Sequence, residues 1–122
     1  MAVTVSTQVS PIGTKLVQDT DVSNAAVDNT TLTFGTLYMV EIDNTGASST
    51  AVYFKMADSA DATAGTTAAN LVLMITAGTK MSYVFPTGIT FSTGFSHWCT
   101  KLAAESDTTV PADTVSARYV TS

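Results

Sequence analysis

The chain has few of the side chains on which catalysis, metal binding and cross-linking depend. Its 122 residues include one cysteine, Cys99, and one histidine, His97. A single cysteine excludes a disulfide within the chain. A structural zinc site needs about four ligands, which one cysteine and one histidine do not supply. The sequence therefore predicts no structural zinc site, and we expect no bound metal ion and no cofactor, with calcium as the alternative considered below.

Charge is scarce as well. Only 12% of the residues are charged, against about 25% in an average soluble domain. Ten acidic and five basic residues leave a net charge of −5, and the five basic residues are scattered along the chain. Because phosphate binding depends on clustered lysine and arginine, we expect no nucleic-acid partner.

Long hydrophobic runs are also absent. No run approaches the roughly 18 apolar residues that a membrane-spanning helix needs. The first residues, MAVTVSTQVSPIG, have no positively charged segment and alternate polar with apolar residues, unlike a secretory signal. We expect no membrane partner and a chain that folds without export.

Threonine and serine are abundant, with 23 Thr and 12 Ser, and hydrophobic residues make up 45% of the chain. Period-two alternation recurs from end to end, whereas helical periodicity barely occurs. Threonine is β-branched and suits strands, while its hydroxyl group keeps the exposed side polar. The sequence predicts an all-β fold: a single β-sandwich domain over residues 1–122, with about eight strands and a jelly-roll-like arrangement. A small closed β-barrel is the alternative.

Individual segments lead to more detailed predictions. Residues 36–58 resemble a β-hairpin, because two alternating strands flank the turn sequence DNTGASS. Residues 30–34, TTLTF, form a possible strand, residues 57–70 a long exposed loop, and residues 80–85 a strand that ends at Pro86. Strand alternation places Lys80 opposite Met81, and it places His97 and Trp98 on opposite faces, so that only one of these two is expected in the core.

The candidates for catalysis are few. On one strand His97 and Cys99 would share a face with their Cβ atoms about 7 Å apart. A nucleophilic pair also needs an orienting third group, and the sequence supplies none. We therefore predict that the protein has no catalytic residues and is not an enzyme.

Two kinds of binding site stay open as alternatives. Two turn segments contain side-chain oxygens of the kind that bind calcium. The first has Asp19, Asp21 and Asn24, and the second has Asp58 and Asp61. Neither segment has the residue spacing of an EF-hand loop. We expect these residues to form turns. A carbohydrate-binding module would need an aromatic platform, for which the candidates are Tyr53, Tyr83, Trp98 and Tyr119.

A series of short motifs has a further implication. The chain contains VYFK, then AGTT before LVL, then AGT, FPTGITFSTG and finally DTTVPAD before the last strand. Over residues 36–120 this series resembles small virion proteins of tailed bacteriophages, especially cyanophages. The resemblance implies a β-sandwich structural protein, most simply a decoration (cement) protein that binds the outer capsid surface and stabilises the shell. A tail, neck or fibre component is the alternative.

The resemblance also implies partners and a location. They are the major capsid protein and further copies of the chain, with a homotrimer favoured at the local threefold positions of the shell. The protein would be made in the host cytoplasm and act on the capsid surface of the virion. The N-terminal segment lies outside the resemblance, but its alternating apolar residues, followed by Pro11 and Gly13, indicate that residues 1–12 are an extended arm that binds the partner through Val3, Val5 and Val9. The alternative is that these residues form the first strand of the chain's own sandwich.

Overall fold

The computed structural model describes residues 3–7, 13–46 and 50–122, and the prediction of an all-β fold is confirmed. These residues form strands and connecting loops without any helix, so none of them belongs to a helix that would cross a membrane. The strands are β1 (Val3–Thr7), β2 (Lys15–Asp19), β3 (Gly35–Asp43), β4 (Val52–Asp58), β5 (Leu71–Ile75), β6 (Lys80–Phe91), β7 (Phe95–Thr100) and β8 (Ser116–Thr121).

The eight strands form two antiparallel sheets. One has five strands in the order β1-β2-β8-β3-β6, and the other has three in the order β5-β4-β7. Their inner faces enclose one main cluster of buried apolar side chains. Two sheets packed face to face are a β-sandwich and not a closed barrel. The jelly-roll connectivity stays a prediction.

The predicted hairpin of residues 36–58 is wrong. Strand β3 pairs with β6 and β8, whereas β4 pairs with β5 and β7 in the other sheet. Both strands alternate because each buries one face in the same core, from opposite sides. Alternation reports which face of a strand is buried, and it does not report which strand lies beside it.

Asn44 stabilises the connections between the two sheets. It is fully buried just after β3. Its side-chain amide donates to the carbonyl oxygens of Thr50 at 3.1 Å and Thr76 at 3.3 Å. Its backbone N–H donates to the carbonyl oxygen of Thr79 at 2.9 Å. One side chain therefore joins the β3–β4 connection to the β5–β6 connection.

Two predicted strand boundaries are also wrong. Residues 30–34 form a loop instead of a strand, and β6 continues past Pro86 to Phe91. Strand β6 lies at an edge of its sheet, where a missing N–H is tolerated. The register steps from Leu37↔Ile89 to Met39↔Val84, so residues 85–88 bulge opposite a single residue of β3.

Both His97 and Trp98 are buried, so the expectation that only one of them lies in the core is wrong. His97 points into the space between the sheets, where it stacks on Phe54. Trp98 points outward and packs against Ala57 and Ala62 in a second small cluster. The loop predicted over residues 57–70 comprises residues 59–70, because residues 57 and 58 instead end β4, and Ala62 in this loop is buried. The outer face of β7 is covered because loops cross it, a feature that alternation does not report.

We predict that Gly88→Ala destabilises the protein more than Gly78→Ala does. Both glycines have positive φ, +77° and +67°, and alanine costs about 1–2 kcal/mol there. A Cβ at Gly88 would lie 2.2 Å from Cγ2 of Thr36, whereas a Cβ at Gly78 would have no atom within 4 Å. Overpacking adds about 1–3 kcal/mol to the loss at Gly88. Urea unfolding of both variants measures the two costs, and equal losses would contradict the account.

Candidate functional site

Two of the three predicted partner-binding valines, Val3 and Val5, lie in β1. This strand pairs with β2, for example through Val5↔Val17. Val3 packs against the core, whereas Val5 is 44% exposed. Val9 lies outside the described residues. Residues 3–7 thus form a strand of the chain's own sandwich, and partner binding by the valines stays a prediction.

The loop before β3 exposes two large apolar side chains that were predicted to lie in a strand. Leu32 is 83% exposed and Phe34 is 66% exposed. Leu32 has φ of +64°, a left-handed conformation that costs a residue with a Cβ about 1–2 kcal/mol. Such strain persists where the surroundings impose it, and it occurs most often at functional sites.

The residues beside Leu32 hold the loop in place. Thr30 and Thr31 are buried. The backbone N–H of Thr30 donates to the carbonyl oxygen of Phe95 at 2.9 Å. Nζ of Lys15 donates to the carbonyl oxygen of Thr31 at 3.3 Å, and Lys15 pairs with Thr7 at the end of β1. The loop and the end of β1 are therefore at the same end of the five-stranded sheet.

A chain of polar side chains crosses the core beneath this loop. Thr30 Oγ1 lies 2.6 Å from the hydroxyl oxygen of Tyr119, which lies 3.0 Å from Nδ1 of His97. Nε2 of His97 lies 2.8 Å from Oδ2 of Asp19. Asp19, His97 and Tyr119 are each at most 1% exposed. Burial raises the pKa of the Tyr119 hydroxyl, so it stays protonated. We call this set of four residues the core polar chain.

The core polar chain accounts for both ring nitrogens of His97, although His97 and Cys99 do lie on one face of β7. Burial raises the pKa of the Cys99 thiol to about 12, although the Lys55 ammonium nearby opposes the shift. The thiolate is the nucleophilic form of cysteine, and at that pKa it is scarce at neutral pH. The geometry provides no activated Cys–His pair, and the absence of enzymatic activity stays a prediction.

In each of the two candidate calcium segments one carboxylate, Asp19 in the first and Asp58 in the second, is used in hydrogen bonds within the protein. The carboxylate of Asp58 accepts hydrogen bonds from the backbone N–H groups of Ser92 at 2.9 Å and Thr93 at 2.8 Å, and from the Ser92 hydroxyl. Asp19 belongs to the core polar chain, and the side-chain amide of Asn24 donates to the carbonyl oxygen of Thr108. Among the residues that the structure describes, no three His, Cys, Asp or Glu side chains are grouped as metal ligands would be.

The four candidate aromatic residues do not form one exposed platform. Tyr119 is in the core, and the hydroxyl of Tyr83 donates to the carbonyl oxygen of Met74 in the opposite sheet at 2.6 Å. Trp98 is 1% exposed. Tyr53 lies on an outer face but is half-buried.

Lys55 is buried beside Trp98, which the sequence did not indicate. It is 1% exposed, and its Nζ donates to the carbonyl oxygen of Ala104 at 2.8 Å. Burial lowers the pKa of the Lys55 ammonium group, although the Asp107 carboxylate raises it. Lys55 therefore stabilises the loop after β7 against the outer face of the three-stranded sheet.

The fold and these contacts define a two-sheet antiparallel β-sandwich with an exposed strand edge and a strained apolar loop. No protein-family model, curated protein or solved structure matches the chain.

We predict that Tyr119→Phe destabilises the protein by about 1–3 kcal/mol, because it leaves buried polar partners without their hydroxyl group. Thr30 and His97 both lose a hydrogen bond in this variant. Tyr53→Phe, which removes a hydroxyl from a half-buried outer position, is the matched control with little expected change. Equal unfolding free energies for the two variants in urea would contradict the role of the core polar chain.

We predict that Asp58→Asn destabilises the protein at pH 7 and reduces its sensitivity to acid. Burial raises the pKa of Asp58, but its hydrogen bonds with Ser92, Thr93 and Gly94 outweigh burial and lower it. A lowered carboxyl pKa contributes stability above the unfolded value of about 3.9, and this contribution is lost as the pH falls through the folded value.

Urea unfolding at pH 7 and at pH 3 measures this effect. The difference between Asp58→Asn and the unsubstituted protein should shrink at the lower pH. Asp61→Asn, in the adjoining loop, is the control. Asp61 is exposed, and its hydrogen bond with the Ser59 hydroxyl uses its backbone N–H and not its carboxylate. A difference that does not change with pH would contradict the assignment.

Proposed function

We propose that the chain is a non-enzymatic structural protein of a tailed-phage virion, and that it acts as a capsid decoration protein. It binds the outer capsid surface where subunits meet and stabilises the shell by burying apolar surface across their junction. The resemblance of residues 36–120 to phage virion proteins supports this proposal, and so does the β-sandwich fold. Fold alone carries limited weight for function, so the exposed contacts are the main support.

The observation that carries the proposal is the pair of large apolar side chains on the loop before β3. Leu32 and Phe34 are 83% and 66% exposed although they adjoin a well-packed core. At these exposures the two side chains bury little apolar area within the chain, so they contribute little to its stability. Their burial against a partner is favourable, and partner-binding surfaces are rich in such exposed apolar groups.

Strand β1 offers a second contact, because it is the least obstructed of the four edge strands. Strand β7 is covered by Val27, which exchanges backbone hydrogen bonds with His97. Strand β6 has the bulge of residues 85–88, and in β5 the carbonyl oxygen of Met74 accepts the Tyr83 hydroxyl. The outer edge of β1 pairs with no strand in the described part of the chain. A strand of the capsid protein would pair there by β-augmentation.

The same contacts would serve a tail, neck or fibre component, which differs in location and not in chemistry. A decoration protein binds purified capsids, whereas a tail component binds purified tails, so comparing the two binding reactions distinguishes these roles. A carbohydrate-binding module would instead bind glycans through exposed aromatic faces, and Trp98 and Tyr119 are not exposed. A glycan array that stays blank agrees with the assembly role.

We predict that the purified protein adds to undecorated capsids of the phage that carries it and raises their melting temperature. Leu32→Asn should weaken this binding at least about tenfold, since burying a large apolar side chain contributes about 1.5–3 kcal/mol. Because asparagine tolerates the left-handed conformation at this position, the same variant should leave the isolated protein as stable as before or more so.

Val110→Asn is the matched control for this experiment. Val110 is 58% exposed and lies in the connection between β7 and β8, away from the loop before β3, so its substitution should leave capsid binding unchanged. Absence of binding at stoichiometric ratio would overturn the decoration role. Equal binding by the two variants would show that Leu32 is not a contact.

A further inference from the structure

The outer face of the five-stranded sheet has an ordered arrangement of side chains. The alternating residues of β2, β8, β3 and β6 that do not point into the core lie on this face, which we call the outer face. Its members from β8, for example, are Ser116, Arg118 and Val120, whereas Ala117, Tyr119 and Thr121 are buried. The three-stranded sheet lies on the opposite, inner side of these strands. Near β2 the outer face is partly covered by backbone, since a Cβ at Gly13 would lie 2.8 Å from Cγ1 of Val120.

Four apolar side chains form one continuous row across the outer face. The strand registers place Leu16 beside Val120, Val120 beside Met39, and Met39 beside Val84. Neighbouring strands are about 4.8 Å apart, so the row extends over roughly 14 Å. Val84 is 66% exposed, and the other three are half-buried. We call these four residues the apolar row.

A polar row lies two residues further along the same strands. Gln18 lies beside Arg118, Arg118 beside Glu41, and Glu41 beside Ser82. Glu41 is 3.6 Å from Nζ of Lys80. The guanidinium group of Arg118 is exposed and has no ion pair among the residues that the structure describes. The outer face thus presents a free cation next to an anion.

These two rows are complementary to themselves under a two-fold rotation. If the axis runs parallel to the strands, midway between β8 and β3, the copy's β3 lies over β8 and its β6 lies over β2. This rotation does not change how far along the strand direction a residue lies. The apolar row then faces the apolar row of the copy, with Val120 opposite Met39 and Leu16 opposite Val84.

The same rotation places Arg118 of each copy opposite Glu41 of the other, so two charge pairs form for one interface. Near-parallel strands are the usual geometry for two sheets that pack face to face. A two-fold axis along the rows would instead keep Arg118 of one copy away from Glu41 of the other. The arrangement of charges therefore selects the axis parallel to the strands.

We propose that the outer face is the interface of a two-fold symmetric homodimer of this chain. Isologous interfaces of this kind are the commonest form of homo-oligomer. The apolar row supplies the buried centre, and the two Arg118–Glu41 pairs determine the alignment of the copies. A dimer differs from the trimer that the resemblance implies, and it leaves the loop with Leu32 and the edge of β1 outside the interface. The proposal does not depend on the capsid role.

Sedimentation equilibrium of the purified protein over a range of concentrations tests the proposal without any capsid. The expected mass is twice the 12.7 kDa of the chain. Glu41→Arg and Arg118→Glu should each raise the dimer dissociation constant at least about tenfold, because each opposes like charges across the axis. The double variant, Glu41→Arg with Arg118→Glu, should restore the dimer. Val84→Asp should weaken it through the apolar row, and Val110→Asp is the control.

The double variant distinguishes a loss of dimer contacts from a loss of folding. Sedimentation gives the mass of each variant, and thermal unfolding shows whether that variant is folded. A monomer or a trimer as the only species of the unsubstituted protein would overturn the proposal. Failure of the double variant to restore association, although it is folded, would do the same. If the protein is a monomer and Val84→Asp abolishes capsid binding, the outer face is a contact for the capsid and the dimer is wrong.

Discussion

The contact on which much of this structure depends is the hydrogen bond between His97 and Asp19, two side chains that are each at most 1% exposed. It joins β7 of one sheet to β2 of the other, and Tyr119 and Thr30 extend it to β8 and to the loop before β3. Buried polar groups are costly unless they are paired, so each member of this chain constrains the position of the next. The two sheets are thereby held in one alignment as well as in contact.

The same constraint explains the exposed loop. Thr30 is held down by Tyr119 and Phe95, and two residues later Leu32 adopts a left-handed conformation in solvent. The buried and exposed parts of this loop are thus linked: the hydrogen bonds that order the core also support the strain at its tip. A loop with only solvent contacts would relax to a conformation without positive φ at a leucine.

Much of the fold was predictable because strands that bury one face keep a period of two. The class, the number of strands and the orientation of Lys80 opposite Met81 and Tyr83 follow from this alternation. The candidate site was predictable in small part. Val5 is an exposed residue of an edge strand, as its alternation allows, but the sequence TTLTF resembles a strand as much as an exposed loop. Leu32 was missed because its conformation is imposed by contacts with residues far along the chain.

The sequence by itself determined the all-β class, the scarcity of reactive side chains and the buried face of most strands, since these depend on composition and on neighbours one or two residues away. The tertiary structure alone decided which strands lie side by side, that β3 and β4 separate into different sheets, and that both His97 and Trp98 are buried. These outcomes depend on contacts between distant residues, such as the 78 positions that separate His97 from Asp19. Local alternation carries no information about such contacts, because the pattern is the same whichever strand or loop covers a given face.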